Sequence, residues 1–365
     1  MPVGTQGKFR ELYMTFCLRA TYFLRNTGTV KVVLGNTYHL ENRPGSEILD
    51  MFNGLPAFIN WKRGTLTDSG GFQMVSLLDL ADIEEGVAFQ SPVDGRQLFL
   101  TPERSMNIQN SIGADILMAL DDVVSSASTN DTRFEQATRR TIEWLDRCIS
   151  AHRRPYQQAM FGIIQGGTDK YLRTTSIEGL LGRNHHLPGY AIGGLAGGEH
   201  KKTFCEIVSQ CCSRLPRDKP RYVMGVGYPL DIVVCSALGA DLYDCVYPSR
   251  TARFGTALIP EGVLRLKTTS MATDYRPLDS DCDCLVCKNY CRAHLHAKIK
   301  KDPSAASLLT YHNIRFQMRL CTDMHIAIAE QQFTPFVQAF VRRMFPQRPL
   351  PQWLREAFEL ATIEV

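Results

Sequence analysis

Between Thr65 and Val246 the chain repeats one pattern: a short apolar run stops at glycine or at a chemically active polar residue. Thr65-Leu-Thr67 runs into Asp68-Ser-Gly-Gly-Phe-Gln73, and Asp115 to Leu120 runs into Asp121-Asp122. Met160 to Ile164 meets Gln165-Gly-Gly167, Tyr190-Ala-Ile192 meets Gly193-Gly-Leu-Ala-Gly-Gly-Glu199, and Arg221 to Met224 meets Gly225-Val-Gly227. Asp244 lies near the end of the run Asp241 to Val246, and Val30 to Leu34 is strand-like as well. Runs of this length and content read as buried strands. Helical patterns separate them. Phe134, Ala137, Thr141, Leu145, Cys148 and Ile149 form one apolar stripe, and Phe204, Ile207, Val208, Cys211 and Leu215 form another. Thr101-Pro102 marks a further helix start, an N-cap followed by proline at the first helical position. Alternating strands and helices imply a parallel sheet covered by helices. Reactive groups at the C-terminal ends of many successive strands fit a barrel, whereas an open doubly wound sheet gathers them at one switch point. The expected fold is therefore α/β, a (β/α)8 TIM barrel.

Composition limits the rest. Of 365 residues, 44% are hydrophobic and 21% charged, which excludes a disordered chain. The net charge of +4 comes from 41 basic and 37 acidic residues, so any contact with nucleic acid must rest on a local basic patch. No uncharged apolar run approaches the roughly 20 residues of a membrane span. The basic stretch from Lys8 to Arg25 is interrupted by Glu11, which argues against a mitochondrial presequence. Of 12 cysteines, four crowd between Cys282 and Cys291, a pattern of a reducing compartment with one metal cluster. Cys282-Asp-Cys284-Leu-Val-Cys287 can wrap three thiolates around one side of a tetrahedral ion. His312 is the expected fourth ligand, with Cys291, His294 and His296 competing for the place. A filled Cys3His set leaves no open position, so the metal reads as one structural zinc.

Asp68, Asp121 and Asp244 stand at separate strand ends of one face. Each alone is more often a helix cap or a surface acid. Together, beside Gln165, they suit a nucleophile, a proton-transfer group and a reader of a base edge. A carboxylate can attack an anomeric carbon to form a glycosyl–enzyme intermediate. The glycine turns do not read as nucleotide-cofactor loops, because Gly193 to Gly198 lacks the G-x-G-x-x-G order and no P-loop lysine follows. Tyr247-Pro-Ser-Arg250-Thr-Ala-Arg253 sets two arginines just after Asp244, with planar donors suited to base edges and phosphates.

Thr67 to Gln73, Gly193 to Glu199, Asp244-Cys-Val246 with Arg250 and Arg253, the Cys3His cluster and Met1-Pro-Val-Gly-Thr-Gln6 resemble the tRNA-guanine transglycosylase family. The likeness is nearest to its eukaryotic, queuine-inserting members and runs from about Val33 to the C-terminus. It implies a zinc-containing barrel that exchanges the wobble guanine of tRNA anticodons (Asp, Asn, His and Tyr type) for queuine. The exchange would be a double displacement through a covalent enzyme–RNA intermediate. Asp244 matches the family's nucleophile and Asp68 its proton acceptor. The substrate pocket would comprise Asp68, Ser69, Gly70, Gly71, Phe72, Asp121, Gln165 and Gly194. RNA contacts would come from Gly225, Val226, Gly227, Tyr228, Pro229, Leu230 and Asp231, and from Ser249, Arg250, Thr251, Ala252 and Arg253. Cys282, Cys284, Cys287 and His312 match the zinc ligands. Bacterial relatives, which insert a smaller precursor base, are bulkier at the position of Gly197 and carry cysteine at that of Val123, so Gly197 would make room for queuine's cyclopentenediol arm.

The resemblance further implies a non-catalytic accessory subunit as partner and a cytoplasmic location, with the mitochondrial outer surface as a peripheral alternative. Gly7 to Thr29 do not match the family's usual helix, and residues 1–29 are expected to form an atypical segment with a truncated first barrel strand. The core would cover 30–275, and a zinc-binding subdomain with closing helices 276–365. A second reading, a non-catalytic RNA-binding subunit of the same heterodimer, has no need of Asp68 and Asp244. A zinc-dependent hydrolase would need an open metal position.

Overall fold

The computed structural model describes residues 30–71, 85–90, 97–126, 128, 130–347 and 349–365. The expectations for residues 1–29 and for Phe72 fall outside them. In chain order the first strands are β1 (Val32–Gly35), β2 (Gly64–Thr67), β3 (Val87–Gln90), β4 (Gln97–Leu100), β5 (Ile116–Met118) and β6 (Ala159–Ile164). Then follow β7 (Gly189–Ile192), β8 (Arg221–Val223), β9 (Leu242–Tyr243), β10 (Thr256–Ile259) and β11 (Gly262–Arg265). Seven of them form one sheet in the order β1-β2-β5-β6-β7-β8-β9, and every neighbouring pair is parallel. Each strand pairs with the one before it in this series, so the order never reverses and there is no switch point. That is the winding of a TIM barrel, here with seven strands among the described residues.

Side chains alternate across this sheet with a period of two. Leu34, Leu66, Met118, Phe161, Ile163, Ala191 and Tyr222 pack together as the barrel lining. Their chain neighbours Val33, Leu117, Met160, Ile164, Tyr190, Ile192 and Val223 join the larger core that the surrounding helices cover. Both faces are buried, which is why the strands read as continuous apolar runs rather than alternating ones. The expected helices are present. Thr101 caps Pro102–Ile112, its side chain accepting from the Arg104 N–H at 3.2 Å. Asp131–Ala151 buries Ala137, Thr141, Trp144, Leu145 and Cys148, and Lys201–Arg214 buries Phe204, Ile207, Val208 and Cys211. The antiparallel hairpins β3–β4 and β10–β11 add to the expected pattern, and their turn signals lie at Asp94-Gly95 and Pro260-Glu-Gly262.

A second, smaller core gathers Ala252, Ala257, Leu266, Leu278, Val286, Leu295 and Leu309 around Cys282 and Cys284. The long helix Pro303–Ala329 joins the two cores. Leu309 lies in the small one, whereas Ile314, Leu320 and Met324 belong to the barrel's. The helices Phe333–Met344 and Gln352–Leu360 close onto the barrel core through Val337, Val341, Leu354 and Phe358. No helix among the described residues is long and apolar enough to cross a membrane.

Candidate active site

The strand ends deliver the polar residues to one mouth. Asp68 follows β2, and its Oδ1 accepts from the backbone N–H of Thr37 at 2.9 Å and of Gly70 at 3.2 Å. Its Oδ2 accepts from Asn36 Nδ2 at 2.6 Å. Burial pushes the Asp68 carboxyl up to about 7, with repulsion from Asp244 adding to it, and the surrounding N–H donors recover only part. Asp244, five barrel strands away in sheet order, accepts at Oδ1 from Tyr222 Oη at 2.5 Å and from the Gly225 N–H at 2.8 Å. Both donors reach Oδ1, and no described residue donates to Oδ2. The Tyr222 hydroxyl is buried and held protonated by burial and by the Asp244 charge.

Asp121 is buried beside them. Its Oδ1 accepts from Ser69 Oγ at 2.8 Å and its Oδ2 from Gln165 Nε2 at 2.7 Å. Burial raises its carboxyl to about 6 against the pull of those two donors. Its neighbour Asp122 has a different fate, fully buried and ion-paired with Arg133 and Arg140. Of two adjacent acids, one ties the strand end to the helix Asp131–Ala151 and the other pairs with Ser69 and Gln165 at the mouth. Gly71 must be glycine because a Cβ there would lie 2.8 Å from the Asp121 carbonyl oxygen. Gly194 adopts φ +65°, and a Cβ on it would meet Gln165 Oε1 at 2.3 Å. Glu199 ties this glycine turn down, accepting from the Ala196 N–H at 2.6 Å, the Gly197 N–H at 3.0 Å and Ser126 Oγ at 2.7 Å.

The structure thus brings together Asp68, Ser69, Gly70, Gly71, Asp121, Gln165, Gly194 and Asp244. The segments expected to touch RNA divide. Gly225, Arg250 and Arg253 are exposed, while Tyr228, Asp231, Ser249 and Thr251 are partly so. Val226, Gly227, Pro229, Leu230 and Ala252 are buried. Val226 and Leu230 fill the barrel core and Ala252 the smaller one. Asp231 pairs with Lys201 at 2.6 Å.

Sequence reasoning missed Asn36, Tyr222, Glu199 and Arg173. Asn36 had a signal, since it follows the run Val32–Gly35 as the other polar residues follow theirs. Tyr222 and Arg173 sit inside a strand and a helix, and nothing local marks them.

The ligand atoms of Cys282, Cys284, Cys287 and His312 all lie within 4.8 Å of one another, so this buried group could hold a metal ion. His312 Nδ1 stands 3.8, 3.6 and 3.3 Å from the three sulfurs, in chain order. Its Nε2 lies 2.8 Å from the Leu258 carbonyl oxygen, so the ring proton belongs there and Nδ1 is left with a lone pair. The competitors are placed elsewhere. His296 Nδ1 meets the Leu266 carbonyl at 2.6 Å, His294 packs on Tyr290, and Cys291 precedes the helix Arg292–Ile299.

The residue after His312 reaches toward the mouth. Asn313 accepts from the Leu258 N–H at 2.8 Å and donates to the carbonyls of Pro248 and Thr256, each at 3.0 Å. One turn on, Gln317 donates to the Gly227 carbonyl at 3.0 Å. The helix Pro303–Ala329 therefore grips both the helix Tyr247–Arg253, which carries the arginines, and the turn beside Asp244.

The chain that builds this barrel mouth and this thiol–imidazole cluster has counterparts among known proteins. The family model described as queuine tRNA-ribosyltransferase matches residues 1–346. A queuine tRNA-ribosyltransferase catalytic subunit from Schizosaccharomyces pombe is 46% identical over 380 residues, covering 100% of this chain and 90% of its own. One from Caenorhabditis elegans is 42% identical over 375 residues, covering 98% and 91%. A queuine tRNA-ribosyltransferase from Thermus thermophilus is 46% identical over 359 residues, covering 98% and 90%. Whole-chain likeness at this level leaves one conclusion: the chain belongs to the queuine tRNA-ribosyltransferase family.

Proposed function

We propose that this enzyme exchanges the wobble guanine of tRNA for queuine, with Asp244 as nucleophile and Asp68 as proton carrier. Asp244 Oδ2 attacks C1′ of the ribose while Tyr222 and Gly225 hold Oδ1. The C1′–N9 bond breaks, and its electron pair leaves with guanine, which takes a proton from Asp68. Queuine then gives its N9 proton back to Asp68 and attacks C1′, and Asp244 leaves. Two displacements at one carbon retain its configuration, and the protons cancel. A carboxyl near 7 can both give and take at neutral pH. The observation that carries the reading is this convergence: carboxylates from separate strands lie close enough for Asp244 to act on Asp68.

Asp121 would accept from the purine N–H edge. Gln165 uses one amide hydrogen on Asp121 and has the other for the base carbonyl, beside the Gly194 N–H. Adenine presents the opposite order and is rejected. The base must be flipped out of its stack to reach this mouth. Arg250 and Arg253, exposed at the last turn of their helix, would hold the phosphates flanking the wobble position.

Identity alone does not select the base, because the bacterial relative is as similar as the fission-yeast one. We favour queuine on Gly197. It is exposed, and a Cβ there would press on Ser126 Oγ at 2.4 Å and disturb the Ser126–Glu199 bond.

The metal is proposed as one structural zinc. Zn–S bonds of about 2.3 Å and a Zn–N bond of about 2.0–2.1 Å at tetrahedral angles set S and N roughly 3.6 Å apart. The sulfurs stand 3.3–3.8 Å from His312 Nδ1. Four protein ligands leave no position for substrate, so the metal would brace the helix Pro303–Ala329 rather than act on RNA. The eukaryotic relatives are named catalytic subunits, which supports a non-catalytic accessory subunit as partner, and a cytoplasmic location is carried over from the family resemblance alone.

The test is incorporation of labelled guanine, then queuine, into tRNA with a wobble G, with and without the accessory subunit. Exchange should occur with wobble G and not with wobble A. No exchange under either condition overturns the proposal and favours a non-catalytic RNA-binding role.

A further inference from the structure

We propose that Arg173 is a positioning residue for base recognition, whose buried guanidinium aims the Gly194 N–H into the barrel mouth. Arg173 lies in the helix Lys170–Leu181, is fully buried, and has no carboxylate partner among the described residues. Its fork donates instead to backbone carbonyls: Nε to Gly167, Nη1 to Ile164 and Nη2 to Gly193, each at 2.8 Å. Burying a cation without a contacting carboxylate is costly, with Glu199 acting on it only through space, and an apolar side chain of similar volume would serve a core as well or better. What distinguishes this arginine is which carbonyls it takes. They bracket Gln165 and precede Gly194, the two groups that face a base carbonyl in the reading above, on which this inference rests.

A trans peptide points its C=O and N–H in opposite directions. With the Gly193 carbonyl turned toward Arg173, the Gly194 N–H is turned away from it. The left-handed φ of +65° at Gly194 completes the turn. Ile164 O also accepts from the Gly193 N–H at 3.1 Å, so the guanidinium locks the ends of β6 and β7 where the base would sit. A cation at the carbonyl end of a peptide also polarises it, which makes the N–H at its other end a better donor.

The test uses Arg173→Lys, which keeps the charge but gives up the planar fork, and Arg173→Met, which loses both. Steady-state exchange into wobble-G tRNA is measured with guanine and with 6-thioguanine, which keeps the N–H edge but offers a weaker acceptor at position 6. KM for guanine should rise about tenfold, the effect of one neutral hydrogen bond. KM for 6-thioguanine should move less, so that selectivity falls, while kcat and the covalent adduct with tRNA persist. Equal losses for both bases, a fall in kcat alone, or failure of both variants to fold would overturn the proposal and assign Arg173 to the core. If the unaltered enzyme does not distinguish the two bases, the carbonyl-reading role of Gly194 fails instead.

Discussion

The barrel mouth and the metal cluster are both polar, yet they are built in opposite ways. In the mouth, Asp68 and Asp121 are carboxyls whose ionisation the fold opposes, and beside it Arg173 is a buried cation with no contacting carboxylate among the described residues. In the cluster, three thiols and one imidazole face each other, and Leu258 fixes the imidazole's tautomer. A small apolar core of Val286, Leu295 and Leu309 surrounds it. On the proposed reading, the mouth keeps groups poised to exchange protons and bonds at some cost to stability, whereas the cluster would close around one ion. Unfavourable placement marks chemistry, and closure marks support.

The sharpest way to break this contrast is to remove one mouth carboxylate. Asp244→Asn should abolish the covalent tRNA adduct on a denaturing gel run with a stalling base analogue. It should leave tRNA binding within a few-fold, since phosphates and flanking bases supply most of the affinity. Asp68→Asn should cut turnover by ~10²–10⁴ while still allowing an adduct. An adduct that survives in Asp244→Asn and vanishes in Asp68→Asn would reverse the two roles.

The cluster should respond in the other currency. Stripping the metal, or His312→Ala, should cut folded yield more than chemistry per folded molecule, and elemental analysis should find one zinc per chain. Folded, active protein without metal would erase the distinction between the regions.

A pH experiment sharpens it further. Because the fold raises the Asp68 carboxyl to about 7, its contribution to stability is full below about pH 4 and lost as pH climbs through about 7. Asp68→Asn should therefore stabilise the protein more at pH 8 than at pH 5, by on the order of 3 kcal/mol. Equal stability changes at both pH values would show that the acid is not opposed by its site.

The bridge between the regions is the smaller effect. Asn313→Ala leaves the Leu258 N–H and the carbonyls of Pro248 and Thr256 without that partner, a loss of about 1–3 kcal/mol. KM for tRNA should rise with it, because the arginine helix loosens, while KM for free base holds. Least of all, Gly197→Val should impair queuine incorporation while guanine exchange stays largely intact. Equal loss of both would place its effect on the Ser126–Glu199 contact.

Much of this was legible in the chain. The strand runs, the helix cap at Thr101, the acids Asp68, Asp121 and Asp244 and the cysteine cluster all come from residues near one another in sequence. Periodicity, capping and ligand spacing are local rules, so a single chain displays them. They also limit the winding to alternating strands and helices.

What remained was decided by residues far apart. Asp121 and Asp122 are adjacent and chemically identical, and only the approach of Arg133 and Arg140 consumed one and spared the other. His312 prevailed over His296 because the Leu258 and Leu266 carbonyls each captured a ring nitrogen. Tyr222 joined Asp244, and Asn36 joined Asp68, only when neighbouring strands were laid side by side. Composition and spacing determined which chemical groups were present and which strand ends could carry them. Their protonation, orientation and partners depend on burial and on hydrogen bonds between distant segments, which exist only once the barrel has formed.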